Sequence, residues 1–205
     1  MSDDDGAIVY VVDDDEAILE SLSMLLRSVG LECQVFSNGT DFLRSLDPSR
    51  HACLLADIRM PGMSGLELQE RLIEKHIAIP TIFITGHGDV PMAVGAMKSG
   101  ALDFIQKPFR DQDLIDRIHE ALQLDTERLA RRQVELDARK RVASLTPRET
   151  EVMQKVVEGC ANKVIALDLG VSQRTVELHR ARVMHKMGVR SLADLVRLAG
   201  LVVDD

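Results

Sequence analysis

ACLLADIRMPGMSGLELQERLIEKH, residues 52–76, reads as a strand followed by an amphipathic helix. Ala52–Ala56 is a short continuous apolar run, the pattern of a strand buried on both faces. Ser64 stands where an N-cap belongs, and Leu66, Leu68, Leu72 and Ile73 supply a packing stripe up to about His76.

The same alternation extends in both directions. Towards the N-terminus lie an apolar run at Ile8–Val12 and a helical pattern over Asp15–Val29, with Ile18, Leu22, Leu25, Leu26 and Val29 at helical spacing. A weaker run, Glu32–Phe36, and a short helix at Asn38–Leu46 follow. Towards the C-terminus come Pro80–Thr85, a helix at Asp89–Ser99 with Pro91 in its first turn, a strand at Asp103–Gln106 and a helix at Asp111–Leu124. Five βα units in one short chain segment predict a parallel sheet covered on both faces. With right-handed crossovers, the natural order at this size is 2-1-3-4-5, the flavodoxin-like α/β fold.

Beyond that the pattern is wholly helical. Residues 125–143 lack Gly and Pro and predict a long linker helix. Leu122, Leu129 and Leu136 recur every seven residues, but the second heptad position is polar, so a solvated linker competes with a weak dimer seam. Residues 144–205 predict a separate all-α domain of four helices. Thr146, Pro147 and Glu149 form a capping-box signature, and the helix they open runs to about Val157. Asn162–Leu169 follows, stopped by Gly170; Ser172 caps a third helix to Met187; Ser191–Leu198 is the fourth. The expected domains are thus residues 1–124, a linker at 125–143, and 144–205.

Charge divides the same way. Residues 1–124 carry 10 Lys and Arg against 21 Asp and Glu, whereas residues 144–205 carry 9 against 8. The net charge of −8 argues against a chain that coats nucleic acid along its whole length, but permits a local basic face. Cys33, Cys53 and Cys160 are far apart and odd in number, so neither a disulfide framework nor a zinc site is indicated. No apolar stretch reaches membrane-spanning length, and the acidic Met1–Gly6 lacks the basic flank of a secretory signal. A cytoplasmic location without membrane contact is expected.

In open parallel sheets, ligands sit at the carboxyl ends of the strands. Those ends carry Asp13 and Asp14, Asp57, Thr85 and Lys107. Clustered carboxylates repel one another and call for a cation among them. Hard oxygen ligands suit Mg2+, and a lysine and a hydroxyl beside it complete a site for a phosphoryl group. Asp57, the lone acid at the central strand end, is the candidate nucleophile for an acyl phosphate. Singly, each residue also has a structural reading: Asp-rich turns commonly cap the next helix, as Asp15 can do. The joint placement is what favours a site.

The segments VVDDDEA (11–17), LLADIRMPGMSGLEL (54–68) and IFITGHGDVPMAVGAMKSGALDFIQKPF (82–109) resemble the receiver domain of two-component response regulators. That resemblance implies phosphoryl transfer to Asp57 from a phosphohistidine on a sensor histidine kinase. It implies Mg2+ (or Mn2+) on Asp14, Asp57 and the Arg59 carbonyl, with Asp13 holding a metal water. Thr85 and Phe104 would be the switch pair, Lys107 would bind a phosphoryl oxygen, and the Lys107–Pro108 bond would be cis.

In NKVIALDLGVSQRTVELHRA (162–181), two helices flank a Gly-containing turn, packed through Ile165, Ala166, Leu169, Val171 and Val176. From Ser172 to Arg190 five basic residues, Arg174, Arg180, Arg182, Lys186 and Arg190, face one acid, Glu177. A basic second helix suits the major groove. The wider stretch 145–199 resembles the LuxR-type helix-turn-helix, and the whole chain a FixJ-type response regulator. With Val176, Val183 and Met187 facing the core, Gln173, Arg174, Glu177, Leu178, Ala181 and Arg182 form the expected DNA-facing set, with Lys163, Thr175 and Lys186 beside it. The resemblance further implies dimerisation through the face bearing Val94, Met97 and Lys98, binding to double-stranded promoter DNA, and RNA polymerase as a further partner.

Two other readings compete. An aspartyl-nucleophile phosphohydrolase would use Asp13 and Asp15, but leaves residues 145–199 unexplained. A phosphate-independent DNA-binding adaptor leaves the complete acidic set unexplained.

Overall fold

The computed structural model describes residues 6–86, 94–95, 97 and 100–203. The chain divides into two compact units that meet between Leu129 and Ala130.

The front unit is a five-stranded parallel sheet of β1 (Ile8–Val12), β2 (Glu32–Phe36), β3 (Ala52–Asp57), β4 (Thr81–Thr85) and β5 (Asp103–Gln106). Its order is β2-β1-β3-β4-β5, as the alternation of apolar runs predicts. The continuous apolar runs are its three central strands. Successive strand residues face opposite sides, and two cores result. Ile8, Tyr10, Val12, Leu54, Ala56 and Phe83 line one. Val9, Val11, Cys53, Leu55, Ile82 and Ile84 line the other.

The helices are α1 (Glu16–Ser28), α2 (Gly39–Ser45), α3 (Gly65–Glu74) and α4 (Asp111–Ala143). Phe42 of α2 with Leu68 and Leu72 of α3 cover the first core. Leu19, Leu22 and Leu26 of α1 with Leu114, Ile118 and Leu122 of α4 cover the second. Asp15 caps α1 by accepting from the Ala17 N–H at 2.9 Å, so the third acid of the first motif belongs to the helix. The helix expected at 89–99 falls largely outside the described residues, as do Asp89, Pro91 and Lys98; Val94, Gly95 and Met97 are helical.

α4 runs unbroken past residue 124, as the Gly- and Pro-free composition of 125–143 predicts. Two details differ from expectation, and the first is Asp125: read as the start of a solvated linker, it is fully buried. Its carboxylate accepts from the Ala52 N–H at 2.9 Å and from Arg128 Nε at 2.5 Å. A buried N–H at the root of β3 needs an acceptor, and Asp125 supplies it from 73 residues away. Leu122 is likewise packed in the front core, which removes it from any dimer seam.

The rear unit packs α5 (Pro147–Val157), α6 (Asn162–Leu169), α7 (Gln173–Met187) and α8 (Leu192–Val203). Its core joins Val152, Met153, Val156, Ile165, Val176, Val183, Met187 and Leu195. α8 continues past the expected end at Leu198, because Ala199 as well as Leu195 is buried.

Candidate functional site

Parallel pairing puts the strand ends in register. Val12 lies opposite Ala56, so Asp13 and Asp57 follow at the same level on adjacent strands. Asp57 lies opposite Ile84, and Thr85 lies opposite Gln106, which places Lys107 next along the rim. The structure brings three of these groups into direct contact: Lys107 Nζ donates to Asp13 Oδ2 at 3.0 Å and to Asp57 Oδ1 at 2.9 Å.

The remaining carboxylate oxygens are also held. Asp13 Oδ1 accepts from the Asp15 N–H at 2.9 Å, and Asp57 Oδ2 from the Arg59 N–H at 2.7 Å. Burial pushes the Asp13 carboxyl above its ordinary range, against the opposing pull of the Asp15 N–H and of Lys107. For Lys107, burial favours the neutral amine, but the hydrogen bonds and charges of Asp57 and Asp13 outweigh it and hold the ammonium above the usual lysine value. Thr85 is buried at the neighbouring strand end. Phe104, opposite Phe83, shares a sheet face with Thr85 and packs half-buried against the first core. The Lys107–Pro108 bond is cis.

Asp14 is out of step by one residue with the series Val9, Val11, Asp13 and is exposed. Among the described residues no group of three or more His, Cys, Asp or Glu stands close enough to hold a metal ion by itself, so Asp14 does not join Asp13 and Asp57 in a preformed cluster. The donor chemistry nevertheless fits Mg2+, which binds through one or two carboxylates and keeps several waters. Two carboxylates gathered on one ammonium form an oxygen-rich, acidic pocket of that kind.

Gly65 was not singled out in the sequence, and it shapes this pocket. A Cβ there would lie 2.3 Å from the Asp57 carbonyl oxygen, while the Gly65 N–H bonds the Ile58 carbonyl at 3.0 Å. The chain therefore returns directly against the Asp57 backbone where α3 begins. Gly65→Ala should destabilise the front unit by about 3 kcal/mol, the upper part of the overpacking range. Urea unfolding of the full chain, followed through amide exchange of β3 and α3, checks this; unchanged stability of those elements would contradict the contact.

In the rear unit, Ser172 caps α7 through the Thr175 N–H at 3.1 Å, and Gly170 ends α6. Gln173, Arg174, Glu177, Leu178, Ala181 and Arg182 are exposed along one side of α7, and Lys163 is exposed on α6. Val176, Val183 and Met187 face inward. Thr175 is half-buried. Two of the five basic residues are engaged within the unit. Arg180 Nη1 donates to Asn162 Oδ1 at 2.7 Å, tying α7 to α6. Lys186, expected beside the DNA-facing set, places Nζ 2.6 Å from Glu149 Oε2. A count of charges cannot separate an outward arginine from a lysine that reaches back to a capping box.

Glu149 completes that box with Thr146. The Lys186 hydrogen bond, with help from the Thr146 N–H, lowers its carboxyl from 4.5 to about 2. A depressed carboxyl stabilises the fold above its unfolded pKa and loses that contribution as pH falls through the folded value. The rear unit should therefore lose stability from about pH 4.5 towards pH 2. Glu149→Gln should be less stable at neutral pH and lack this part of the acid slope; parallel pH profiles of α5 amide exchange in the two proteins would contradict it.

Residues 9–119 match the family model described as response regulator receiver domain, and residues 143–199 match bacterial regulatory proteins of the luxR family. The chain is a two-component response regulator. Nodulation protein W of Bradyrhizobium diazoefficiens is 47% identical over 94% of this chain and 85% of its own length. The transcriptional regulatory protein FixJ of Azorhizobium caulinodans is 46% identical over 93% and 90%. Among solved structures, response regulator StyR has 47% identity and a TM-score of 0.83, over 95% of this chain and 98% of that one. This response regulator is therefore a transcriptional regulator of the FixJ type, not a phosphohydrolase. A receiver implies a sensor-kinase partner and typically uses Mg2+; a LuxR-type helix-turn-helix implies DNA binding. No helix among the described residues is long and apolar enough to cross a membrane.

Proposed function

We propose that this response regulator accepts a phosphoryl group on Asp57 from a phosphohistidine of a sensor kinase, dimerises, and binds promoter DNA through the exposed side of α7 to activate transcription in the cytoplasm. The observation that carries the reading is Lys107 bridging Asp13 and Asp57 at 3.0 and 2.9 Å.

A carboxylate oxygen of Asp57 attacks phosphorus, the P–N bond breaks, and its electron pair returns to the ring, which leaves as neutral imidazole because its other nitrogen already carries a proton. The Arg59 N–H fixes the Asp57 carboxylate at one oxygen, 2.7 Å away. Lys107 is already on the other and can turn to a phosphoryl oxygen, where its charge offsets the anion. Asp14, Asp57 and the Arg59 carbonyl, with Asp13 through water, would hold Mg2+. When bound, Mg2+ supplies further neutralisation of the phosphoryl charge. Thr85 then hydrogen-bonds the phosphoryl group, and Phe104 on the same sheet face moves inward with it. This shifts the population between two states of the receiver. Val94 and Met97, both exposed, support a self-association face that would also include Lys98, outside the described residues. A dimer presents two copies of α7 to two half-sites, and RNA polymerase is the partner through which promoter binding acts.

The test is incubation with labelled acetyl phosphate and Mg2+. The expected result is one retained phosphoryl group per chain, on the peptide bearing Asp57 and released by hydroxylamine. Sustained turnover without retained label would support a hydrolase, and no label at all would support a phosphate-independent adaptor.

A further inference from the structure

We infer that Arg141 is a positioning residue for the recognition helix, so that the DNA-reading unit begins inside α4, ahead of the stretch 143–199 that matches the luxR family. α7 ends at Met187. A helix leaves its last carbonyls without intrahelical donors. At this end Gly188 adopts the left-handed conformation (φ 67°), which closes two of them: its N–H bonds the His185 carbonyl, and the Val189 N–H bonds that of Met184, both at 3.1 Å. The Met187 carbonyl is taken from elsewhere, by Arg141 Nη1 at 2.8 Å, 46 residues earlier in the chain. A cation at a helix C-terminus also meets the negative end of the helix dipole.

The surroundings are shaped for this guanidinium. A Cβ at position 188 would stand 2.9 Å from Arg141 Nη1, so glycine there serves both the backbone angle and the arginine. A second tie runs the opposite way: Lys186 Nζ donates to the Ser144 carbonyl at 3.1 Å. The Ser144 hydroxyl in turn closes on the Arg141 carbonyl at 2.6 Å. In the same stretch of helix Val142 packs against the unit's core, and Ala138 is buried. The last turns of α4 and the last turn of α7 thus exchange polar contacts over an apolar anchor.

Base readout tolerates little error in the placement of a helix, and side chains that contact base edges depend on supports of this kind. Arg141 acts through α7 and not on DNA, although it is itself exposed. The inference rests on α7 being the recognition helix.

The test uses the full chain activated with beryllofluoride, a duplex selected by the wild-type protein from random sequence, and a scrambled duplex, each titrated at several salt concentrations. Arg141→Ala should weaken the selected duplex about tenfold, the scale of one lost charged hydrogen bond. It should leave the scrambled duplex and the salt slope nearly unchanged, and Arg141→Lys should restore most of the preference. Equal losses on both duplexes with a salt slope smaller by about one would make Arg141 a phosphate contact and overturn the inference. So would an Arg141→Ala protein that loses both duplexes together with its helical circular dichroism. Unchanged binding would overturn it as well. A wild-type chain that shows no preference between duplexes would overturn the DNA-reading role of α7 itself.

Discussion

Asp57→Asn should leave the protein folded and remove its response to phosphorylation altogether. Asn keeps the shape of the side chain, and its one carbonyl oxygen can still accept from either the Arg59 N–H or Lys107, which in wild type sit on different oxygens. It lacks the anionic oxygen that attacks phosphorus, and it removes one of the two carboxylates that Lys107 gathers. In wild type, beryllofluoride should raise affinity for a selected duplex by a factor in the range of about 5 to 150, the usual scale of coupling between two sites. In Asp57→Asn that factor should fall to about one, and label from acetyl phosphate should vanish. Fluorescence anisotropy with and without beryllofluoride measures the factor. A variant that still responds would place the acceptor elsewhere on the acidic rim.

The second large effect belongs to the rear unit. Arg174 and Arg182 are exposed on α7, while Arg180 and Lys186 are turned to Asn162 and Glu149. Arg174→Ala with Arg182→Ala should cost about 2–6 kcal/mol of DNA affinity, taking about 1–3 per arginine, and lower the salt slope by up to about two if both meet phosphates. Lys186→Ala should instead show first in the stability of the rear unit, because it strips the partner from a buried capping glutamate. Titration of one duplex at several salt concentrations distinguishes them. A full salt slope in the double arginine variant, with the affinity unchanged, would move the DNA contact off this side of α7.

The receiver pocket was legible in the sequence because it follows from register. Continuous apolar runs mark the central strands, each ends at a polar residue, and parallel pairing brings those ends level without further information. Asp13, Asp57 and Lys107 meet for that reason. The rear unit was legible through its punctuation: Thr146, Gly170 and Ser172 stand where the helices start and stop, and the inward set Val176, Val183 and Met187 follows from helical spacing.

What was not legible depends on partners distant in the chain. Asp125 reads as one more acid on a solvated helix, and only the Ala52 N–H makes it a buried group. Gly65 reads as the first residue after a cap; the 2.3 Å approach to the Asp57 carbonyl exists only once the loop between them has folded back. Lys186 and Arg180 carry the same charge as Arg174 and Arg182, and the difference lies in what they reach. Leu122 keeps a heptad with Leu129 and Leu136, yet the front core claims it first. In each case local pattern fixed the element, and tertiary contact decided the role of the residue.

The most direct measurement of the central claim is sedimentation velocity of the full chain with Mg2+, before and after beryllofluoride, alone and with a selected duplex, beside Asp57→Asn. A switch at Asp57 predicts that wild type passes from monomer to dimer on adding beryllofluoride and then sediments with one duplex per dimer, while Asp57→Asn stays monomeric throughout. A wild-type chain whose sedimentation and duplex binding ignore beryllofluoride, or an Asp57→Asn chain that responds as wild type does, would contradict it.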